Sequence, residues 1–305
     1  MRVASIDIGT NSVRLFVAEQ EGTILHRVSQ ELRVTRLGKG VDAEGTLTEE
    51  GMERTTAVLA DYVDRIDQYS VQQVKLMATS AVRDASNKDQ FLQLVRERTQ
   101  LDVRVLSGTE EARLSFLGAL ASLPASIRPR DALVLDIGGG STELFRGSGT
   151  DLLGGTSLQM GGVRMTERCV TGHPLSEADW NTLGAAVTTG LQPLLLMELP
   201  TDLPLIGVGG TATTAAALVL GMSEYDPEAI TGEVLSLQSV IELGRHLAEL
   251  SLAERLALPG MTPGREDVVV AGMVILRGVM ELLQREEITI SDGDLLQGVF
   301  LESEV

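Results

Sequence analysis

The stretch Asp7-Ile-Gly-Thr-Asn-Ser12 returns later in the chain, in altered form, as Asp136-Ile-Gly-Gly-Gly-Ser-Thr-Glu143. Each copy follows a short apolar run, and six of ten positions match when the two are aligned from their aspartates. A buried strand that ends in Asp-x-Gly and turns through small hydroxylated residues into a second strand is typical of a phosphate-binding hairpin. Its glycines let backbone N–H groups approach an anion, its hydroxyls donate to the anion, and its aspartate can hold a metal ion. Two copies therefore predict two related domains that face one polyphosphate.

The pattern of strands and helices restarts after a break at Pro124-Ala-Ser-Ile-Arg-Pro-Arg130. On both sides of this break, short apolar runs alternate with amphipathic segments, which predicts mixed α/β domains. We expect a first domain over residues 1–125 and a second over residues 126–293. Helix-starting capping boxes are predicted at Ser86/Asp89, Ser107/Glu110 and Ser176/Asp179.

The composition limits the classes of protein to be considered. The chain has 305 residues, enough for two domains, and a formal net charge of −18. Such a surface repels nucleic acid and anionic membranes, so we expect neither as a partner. No apolar run reaches the ~18 residues of a membrane span, the N-terminus lacks a signal-peptide pattern, and Cys169 is the single cysteine. These features predict a cytoplasmic protein. An enzyme of this charge that cleaves a polyanion should depend strongly on a metal ion.

A set of motifs, in order along nearly the whole chain, carries a resemblance to a known family. They are Asp7-Ile-Gly-Thr-Asn-Ser-Val-Arg-Leu15, Arg36-Leu-Gly38, Ala78-Thr-Ser-Ala-Val-Arg83, Ser107-Gly-Thr-Glu-Glu-Ala-Arg113, the Asp136 stretch, Gly207-Val-Gly-Gly-Thr211 and Met261-Thr-Pro-Gly-Arg-Glu-Asp267. Together they resemble the exopolyphosphatase/guanosine pentaphosphate phosphohydrolase family of the actin, sugar-kinase and heat-shock ATPase superfamily. The resemblance implies a short form with two actin-like (ribonuclease H-like) α/β domains, a duplicated phosphate-binding β-hairpin and an interdomain cleft. It also implies that the last helix, at about residues 294–305, joins the first domain.

Glu111 is predicted to be the catalytic base, from its place in a capping-box helix and from the Glu-Glu-Ala-Arg motif of the family that the chain resembles. The alternative is a carboxylate whose only role is its favourable interaction with the helix dipole at the N-terminus, and this role fits the neighbouring Glu110. Successive helical residues point about 100° apart, so Glu111 is free for another role. A weak base suffices, because phosphoryl transfer needs water oriented more than deprotonated. This interpretation requires a Glu111 carboxylate that faces the glycine turns and is not sequestered in a structural ion pair.

Three carboxylates are predicted to organise Mg²⁺, namely Asp7, Asp136 and Glu143. Each aspartate has the alternative of an Asx turn that only shapes its hairpin. In the family that the chain resembles, the position of Glu143 lies near water and metal, which implies a catalytic role as well; a solvated strand carboxylate is the alternative. The sequence leaves open whether a monovalent cation such as K⁺ is also required.

Phosphate oxygens are expected to be bound by residues from both halves of the chain. The expected ligands are Thr10, Asn11, Ser12, Arg83, Gly138, Gly139, Gly140, Ser141, Thr142, Gly209, Gly210 and Thr211. Arg265 is predicted to add catalytic charge from the start of a helix, after Thr262 as N-cap and Pro263 at the first position. A salt bridge to Glu266 or Asp267 is the alternative for Arg265, and close helix–strand packing is the alternative for the Gly209 loop.

The resemblance and these residues predict an exopolyphosphatase, which uses water to release orthophosphate from the end of inorganic polyphosphate. Hydrolysis of guanosine pentaphosphate by the same residues is the nearest alternative. Two glutamates close to a bound phosphate favour hydrolysis over an ATP-dependent kinase, which must exclude water. A non-catalytic sensor of polyphosphate or alarmone is the remaining alternative, and a homodimer is one option for the oligomeric state.

Overall fold

The computed structural model describes residues 1–197, 200 and 202–302, and it divides into two compact units. Unit 1 comprises Met1–Leu114 together with the described residues from Leu295 onward, and unit 2 comprises Ser115–Asp294. Each unit contains one mixed sheet with flanking helices, and each sheet begins with three consecutive antiparallel strands. The fold is therefore α/β with a duplicated hairpin, as the sequence predicts.

The sheet of unit 1 has five strands in the order β3-β2-β1-β4-β5. The first elements of the chain are β1 (Arg2–Ile8), β2 (Ser12–Glu21), β3 (Ile24–Val34), α1 (Val41–Glu44), α2 (Glu49–Gln68), β4 (Gln73–Ala78), α3 (Ser80–Asp84), α4 (Lys88–Thr99), β5 (Arg104–Val105) and α5 (Gly108–Ser122). The last of these, α5, begins in unit 1 and ends in unit 2. β4 runs parallel to β1, and β5 runs parallel to β4. The central position of β1 explains why it is buried along nearly its whole length and reads as an almost continuous apolar run.

Helix α2 illustrates how the sequence builds the core of unit 1. It begins after Thr48, whose side chain accepts a hydrogen bond from the N–H of Gly51. Its buried face carries Leu59 and Tyr62, which belong to one apolar cluster with Ile6 of β1. Neither α2 nor any other helix in the described part of the chain is both long enough and apolar enough to cross a membrane.

The sheet of unit 2 has six strands in the order β10-β11-β9-β6-β7-β8. Its elements are β6 (Asp131–Ile137), β7 (Thr142–Ser148), β8 (Asp151–Leu158), α6 (Gly162–Cys169), α7 (Glu177–Gly190), a 3₁₀ helix (Gln192–Leu196), β9 (Leu205–Val208), α8 (Gly209–Leu220), α9 (Pro227–Ile230), β10 (Val234–Ser236), α10 (Leu237–Glu249), α11 (Leu252–Leu256), α12 (Val269–Leu282) and β11 (Glu287–Ile290). β9 runs parallel to β6, so β6 occupies the place that β1 has in unit 1. The last helix, α13 (Leu295–Gly298), belongs to unit 1.

The change from unit 1 to unit 2 falls inside α5, whereas the sequence suggests a boundary at 125/126. Leu114 belongs to an apolar cluster of unit 1 with Leu295, whereas Phe116 belongs to a cluster of unit 2 with Val134. Because the helix is continuous, no proline, glycine or change of composition marks the transition. The proline-containing break after residue 123 marks only the end of α5 and the turn into β6.

Two of the three predicted capping boxes form. Ser107 pairs reciprocally with Glu110, and Ser176 pairs reciprocally with Asp179. The box predicted at Ser86 does not form, because the Ser86 hydroxyl donates instead to the carbonyl of Gly45, and α4 begins two residues later.

The start of α12 also differs from the prediction, and this changes the setting of Arg265. The helix begins at Val269 rather than at the predicted first position, Pro263. Gly264 has a φ of 83°, and the carbonyl of Glu266 accepts a hydrogen bond from the guanidinium of the buried Arg255, so the chain turns before it becomes helical. Arg265 therefore lies between two turns that precede α12, and the predicted position of Arg265 at a helix N-terminus is wrong.

Candidate active site

The first hairpin, β1–β2, places Asp7 directly opposite Arg14. Oδ2 of Asp7 accepts hydrogen bonds from Nη2 of Arg14 at 2.7 Å and from Nε at 3.1 Å. Both side chains are largely buried, with 5% of Asp7 and 16% of Arg14 exposed. A buried carboxylate that is already paired with an arginine is poorly placed to bind a metal ion directly.

The loop of this hairpin is held by the segment that follows β3. The carbonyl of Thr10 accepts from the N–H of Gly38 at 2.8 Å, and the carbonyl of Asn11 accepts from the N–H groups of Thr35 and Arg36 at 3.0 and 2.8 Å. The Arg36-Leu-Gly38 motif thus shapes the turn that contains the predicted phosphate ligands Thr10, Asn11 and Ser12. Gly38 is required there because a Cβ would collide with the Thr10 side chain.

Glu111 lies on the first turn of α5 and forms an ion pair with Arg83 of α3. Nη1 of Arg83 donates to Oε2 of Glu111 at 2.8 Å and to the carbonyl of Leu106 at 2.9 Å. Glu111 is 7% exposed. The predicted base is therefore engaged in an ion pair, an arrangement that the sequence-based interpretation counts against it.

The partner in this pair is itself a predicted phosphate ligand. Nη2 of Arg83 is buried and has no hydrogen-bond partner within the described residues. A guanidinium is a planar fork of five donors, so it can bind a carboxylate on one side and an anion on the other. The pair therefore fits a substrate site as well as a structural one.

The neighbouring Glu110 has the structural role that the sequence predicts for it. Its carboxylate accepts from Arg104 at 2.8 Å and from the backbone and hydroxyl of Ser107 at 2.9 and 2.8 Å. These hydrogen bonds, that from Arg104 most of all, lower the pKa of Glu110 from its ordinary 4.5 to about 2. Glu110 therefore caps α5, and Glu111 is directed elsewhere.

The second hairpin, β6–β7, places Asp136 directly opposite Glu143. Both are buried, with 8% and 2% exposed. Oδ2 of Asp136 accepts from the hydroxyl of Ser115 at 2.8 Å, and Oε1 of Glu143 accepts from the hydroxyl of Ser157 at 2.6 Å. Each carboxylate is thus oriented by a serine.

The loop between β6 and β7 is held by α6. The carbonyls of Gly138, Gly139 and Gly140 all accept hydrogen bonds from the first turn of that helix. Ser141 is 2% exposed, and the hydroxyl of Thr142 donates to the carbonyl of Met160. The Thr142 hydroxyl is therefore engaged within the protein, so the backbone of this loop is the better candidate for contacts with phosphate.

The first turn of α8 brings Gly209, Gly210 and Thr211 to the end of β9. Gly209 has a φ of 75°, and a Cβ built there would collide with Oδ1 of Asp136. Arg265 donates from Nη1 to the carbonyl of Gly210 and, at 2.9 Å, to the hydroxyl of Thr214. In unit 2, the structure thus brings Arg265 to the predicted Gly209 loop, and that loop to Asp136.

The residues of unit 2 fit a magnesium site in which the protein supplies few of the ligands. Among the described residues there is no group of three or more His, Cys, Asp or Glu side chains that could hold a metal ion. Mg²⁺ is nevertheless usually bound by one or two carboxylates, with water and substrate phosphates completing its octahedron. Two buried carboxylates that face each other across a hairpin repel unless a cation lies near. Asp136 and Glu143 therefore fit Mg²⁺, whereas Arg14 already engages Oδ2 of Asp7.

Several residues that support the site were missed by sequence reasoning. They are Ser115, Ser157, Arg164 and the Tyr225–Asp292 pair, in which the Tyr225 hydroxyl donates to Oδ1 of Asp292. Burial raises the pKa of that tyrosine, and the charge of Asp292 raises it further. Only Arg164 carried a usable signal, because it follows the glycine pair Gly161-Gly162 at the start of a helix.

Each of the two sheets begins with the same kind of β-hairpin, and in each hairpin a loop of small residues joins the two strands. This duplication defines an α/β protein of the actin-like type. The chain belongs to the Ppx/GppA phosphatase family, whose model matches residues 16–305. Exopolyphosphatase 2 of Mycobacterium tuberculosis is 35% identical over 315 aligned positions, which cover 98% of each chain.

Solved structures show the same similarity. An exopolyphosphatase-like protein superposes with a TM-score of 0.92 at 33% identity, covering 98% of this chain and 96% of the other. The Aquifex aeolicus member of the Ppx/GppA family superposes with a TM-score of 0.81 at 33% identity, covering 99% of this chain and 96% of the other. Family membership and these relatives support a phosphatase.

Proposed function

We propose that the protein is a Mg²⁺-dependent exopolyphosphatase, which hydrolyses the terminal phosphate of inorganic polyphosphate and releases orthophosphate. The observation that carries this proposal is the buried Asp136–Glu143 pair on the hairpin whose glycine loop has its carbonyls turned onto α6. Two carboxylates that would hold a cation, on the same hairpin as a loop of backbone amides, suit the binding of a phosphate chain. The curated relative named exopolyphosphatase 2 supports the same substrate.

In unit 2, Asp136 and Glu143 would hold Mg²⁺, which when bound polarises phosphoryl oxygens and neutralises their charge. Ser115 and Ser157 fix the orientation of the two carboxylates through the hydroxyl bonds described above. The amides of the loop between β6 and β7 would donate hydrogen bonds to nonbridging phosphate oxygens. Arg265 is fixed by the carbonyl of Gly210 and would add positive charge next to the first turn of α8.

In unit 1, Arg83 fixes the direction of the Glu111 carboxylate by a hydrogen bond to one of its oxygens. Glu111 would accept a hydrogen bond from the attacking water and orient it toward phosphorus. Nη2 of Arg83, which has no partner within the described residues, would bind a phosphate oxygen. Phosphate binding and water orientation would then be linked through one guanidinium.

The test is a comparison of substrates with the purified protein. Phosphate release is measured from long-chain polyphosphate, from guanosine pentaphosphate and from ATP, each with Mg²⁺ and with excess EDTA. We expect rapid release from polyphosphate with Mg²⁺ and nearly none with EDTA, and the Glu111→Gln variant serves as the catalytically impaired control. Three results would contradict the proposal. The protein could release phosphate from guanosine pentaphosphate but not from polyphosphate, it could release phosphate from ATP only when a co-substrate is present, or its release from polyphosphate could be undiminished in EDTA.

A further inference from the structure

Three consecutive peptide groups of the β6–β7 loop are held by helix α6. The carbonyl of Gly138 accepts from the N–H of Gly162 at 2.9 Å. The carbonyl of Gly139 accepts from the N–H groups of Val163 and Arg164 at 2.8 and 3.1 Å. The carbonyl of Gly140 accepts from the side chain of Arg164, whose Nε donates at 2.8 Å. Each glycine carbonyl in the loop is thus directed at α6.

The direction of these carbonyls fixes the direction of the next three amides. A trans peptide group is planar, and its C=O and N–H point in opposite directions. The N–H groups of Gly139, Gly140 and Ser141 therefore point away from α6. None of these three N–H groups donates a hydrogen bond to another described residue. Consecutive amides that face one side form a concave anion-binding nest.

The approach of α6 to the loop depends on its own glycines. A Cβ built on Gly161 would lie 2.5 Å from the backbone carbon of Gly139, so only glycine allows this contact. Glycine peptide groups rotate easily, because glycine occupies most of φ/ψ space. Without these bonds, the loop would therefore sample orientations in which its carbonyls, rather than its amides, face a bound phosphate.

Of the hydrogen bonds that described residues donate to the carbonyls of Gly138, Gly139 and Gly140, one comes from a side chain. Gly138 and Gly139 are held by backbone donors, which any substitution other than proline retains. Gly140 depends on Nε of Arg164. In the first hairpin, by contrast, the carbonyls of Thr10 and Asn11 are held by backbone donors of residues 35, 36 and 38. The second loop is therefore the one that a single side-chain change can release.

We propose that Arg164 is a positioning residue for substrate binding, which directs the N–H of Ser141 toward phosphate by holding the carbonyl of Gly140. This inference rests on the proposed function, because it assumes that the loop binds a phosphate oxygen. It assigns to Arg164 a role that depends on its Nε–H as a donor, not on its positive charge.

Two substitutions separate the donor from the charge. In Arg164→Gln, the amide nitrogen stands the same number of bonds from the backbone as Nε of arginine, so a donor is kept and the charge is lost. In Arg164→Met, the stem is of similar length, but donor and charge are both lost. Arg277→Met removes a charge from α12, where Arg277 pairs with Glu281 four residues later, and serves as the matched control.

The variants are compared by kcat/KM for polyphosphate and by a binding measurement that needs no turnover. In the second, inorganic phosphate is titrated into ¹⁵N-labelled protein, and the amide signal of Ser141 is followed by NMR. We expect Arg164→Met to lose about tenfold or more in kcat/KM, as removal of one amide donor does in other anion sites, and to lose the phosphate-dependent shift of Ser141. Arg164→Gln and Arg277→Met should retain both.

Three outcomes would overturn the inference. In the first, Arg164→Met has wild-type kinetics and a wild-type Ser141 shift. In the second, Arg164→Gln is as impaired as Arg164→Met, which assigns the role to the charge. In the third, Arg164→Met has a lowered Tm but unchanged kcat/KM and shift, which assigns only a stabilising role. If the wild-type protein releases no phosphate from polyphosphate, the proposed function fails, while the Ser141 titration still decides the role of Arg164.

Discussion

Asp136 lies directly opposite Glu143 across the β6–β7 pair, and both carboxylates are buried. The equivalent cross-strand pair of the first hairpin is Asp7 opposite Arg14, which form an ion pair. The two hairpins are therefore related by repetition but differ in charge at one position. The first is internally neutral, whereas the second places two acidic groups on one face of its sheet. On this difference we propose that the metal site lies at the second hairpin.

The first prediction concerns this pair. Glu143→Gln and Asp136→Asn should each lower kcat/KM for polyphosphate by about 100-fold or more, because each removes a charge from the magnesium site. Both variants should also bind Mn²⁺, used in place of Mg²⁺ and measured by electron paramagnetic resonance, more weakly than the wild type does. Asp151→Asn, at the exposed start of β8, is the control and should change neither quantity. Unchanged Mn²⁺ binding in both variants would remove the assignment.

The second prediction concerns Glu111. Glu111→Gln keeps the size of the side chain and a hydrogen bond to Arg83, but it weakens the orientation of water, so kcat should fall about 10²- to 10⁴-fold. The KM should change little, because Glu111 binds water rather than phosphate. Phosphate release is measured at several polyphosphate concentrations, and circular dichroism confirms that the variant is folded. Phosphate release equal to that of an active wild type would instead assign Glu111 a structural role only, whereas the sensor alternative requires that neither protein releases phosphate.

The third prediction uses two glycines at opposite ends of α8. Gly209 and Gly221 both have positive φ, 75° and 61°, so alanine strains the backbone at either position. A Cβ at Gly209 would also collide with the carboxylate of Asp136, whereas a Cβ at Gly221 would meet nothing within 4 Å. Gly221→Ala should lose about 1 kcal/mol of unfolding free energy from backbone strain, and Gly209→Ala should lose more because of the added collision. Only Gly209→Ala should also lose most of its activity. Both variants are assayed at a temperature at which both are folded. Equal activities in the two variants would mean that Asp136 is not needed in its observed position.

The parts of this structure that could be predicted are those encoded by neighbours in sequence. The duplicated hairpin, two of the capping boxes and the capping role of Glu110 each depend on residues within one short segment. The departure of α12 from its predicted start depends instead on Arg255, a buried residue ten positions upstream of Arg265.

The contacts that hold the candidate site are long-range and could not be predicted. The Arg83–Glu111 pair joins α3 to α5, and the bond from Ser115 to Asp136 joins a helix to a strand. Neither bond has a periodicity or a fixed spacing that a sequence could reveal. By contrast, the charge difference between the two hairpins is visible in the sequence as Arg14 in one copy and Glu143 in the other, and it supports the proposed metal site.

The last prediction concerns the pH dependence of stability and follows from Glu110. Because the folded-state pKa of about 2 lies below the ordinary 4.5, ionised Glu110 stabilises the native state above about pH 4.5, and this contribution is lost as the pH falls toward 2. Glu110→Gln should therefore lower the unfolding free energy at pH 7. We expect a loss of about 1 kcal/mol, since the side chain is partly exposed and solvent screens its interactions.

The difference between wild type and Glu110→Gln should shrink steadily below pH 4.5, because protonation of Glu110 in the wild type removes the same charge. Urea unfolding curves at pH 7, 4 and 3 measure this difference directly, and the other carboxylates cancel because both proteins contain them. Glu242→Gln is a matched control, since Glu242 is exposed on α10 and, within the part of the chain that the structure describes, accepts a hydrogen bond from Gln238 alone. A difference that stays constant from pH 7 to pH 3 would show that the charge of Glu110 does not stabilise the first turn of α5, and the cap would then act through its geometry alone.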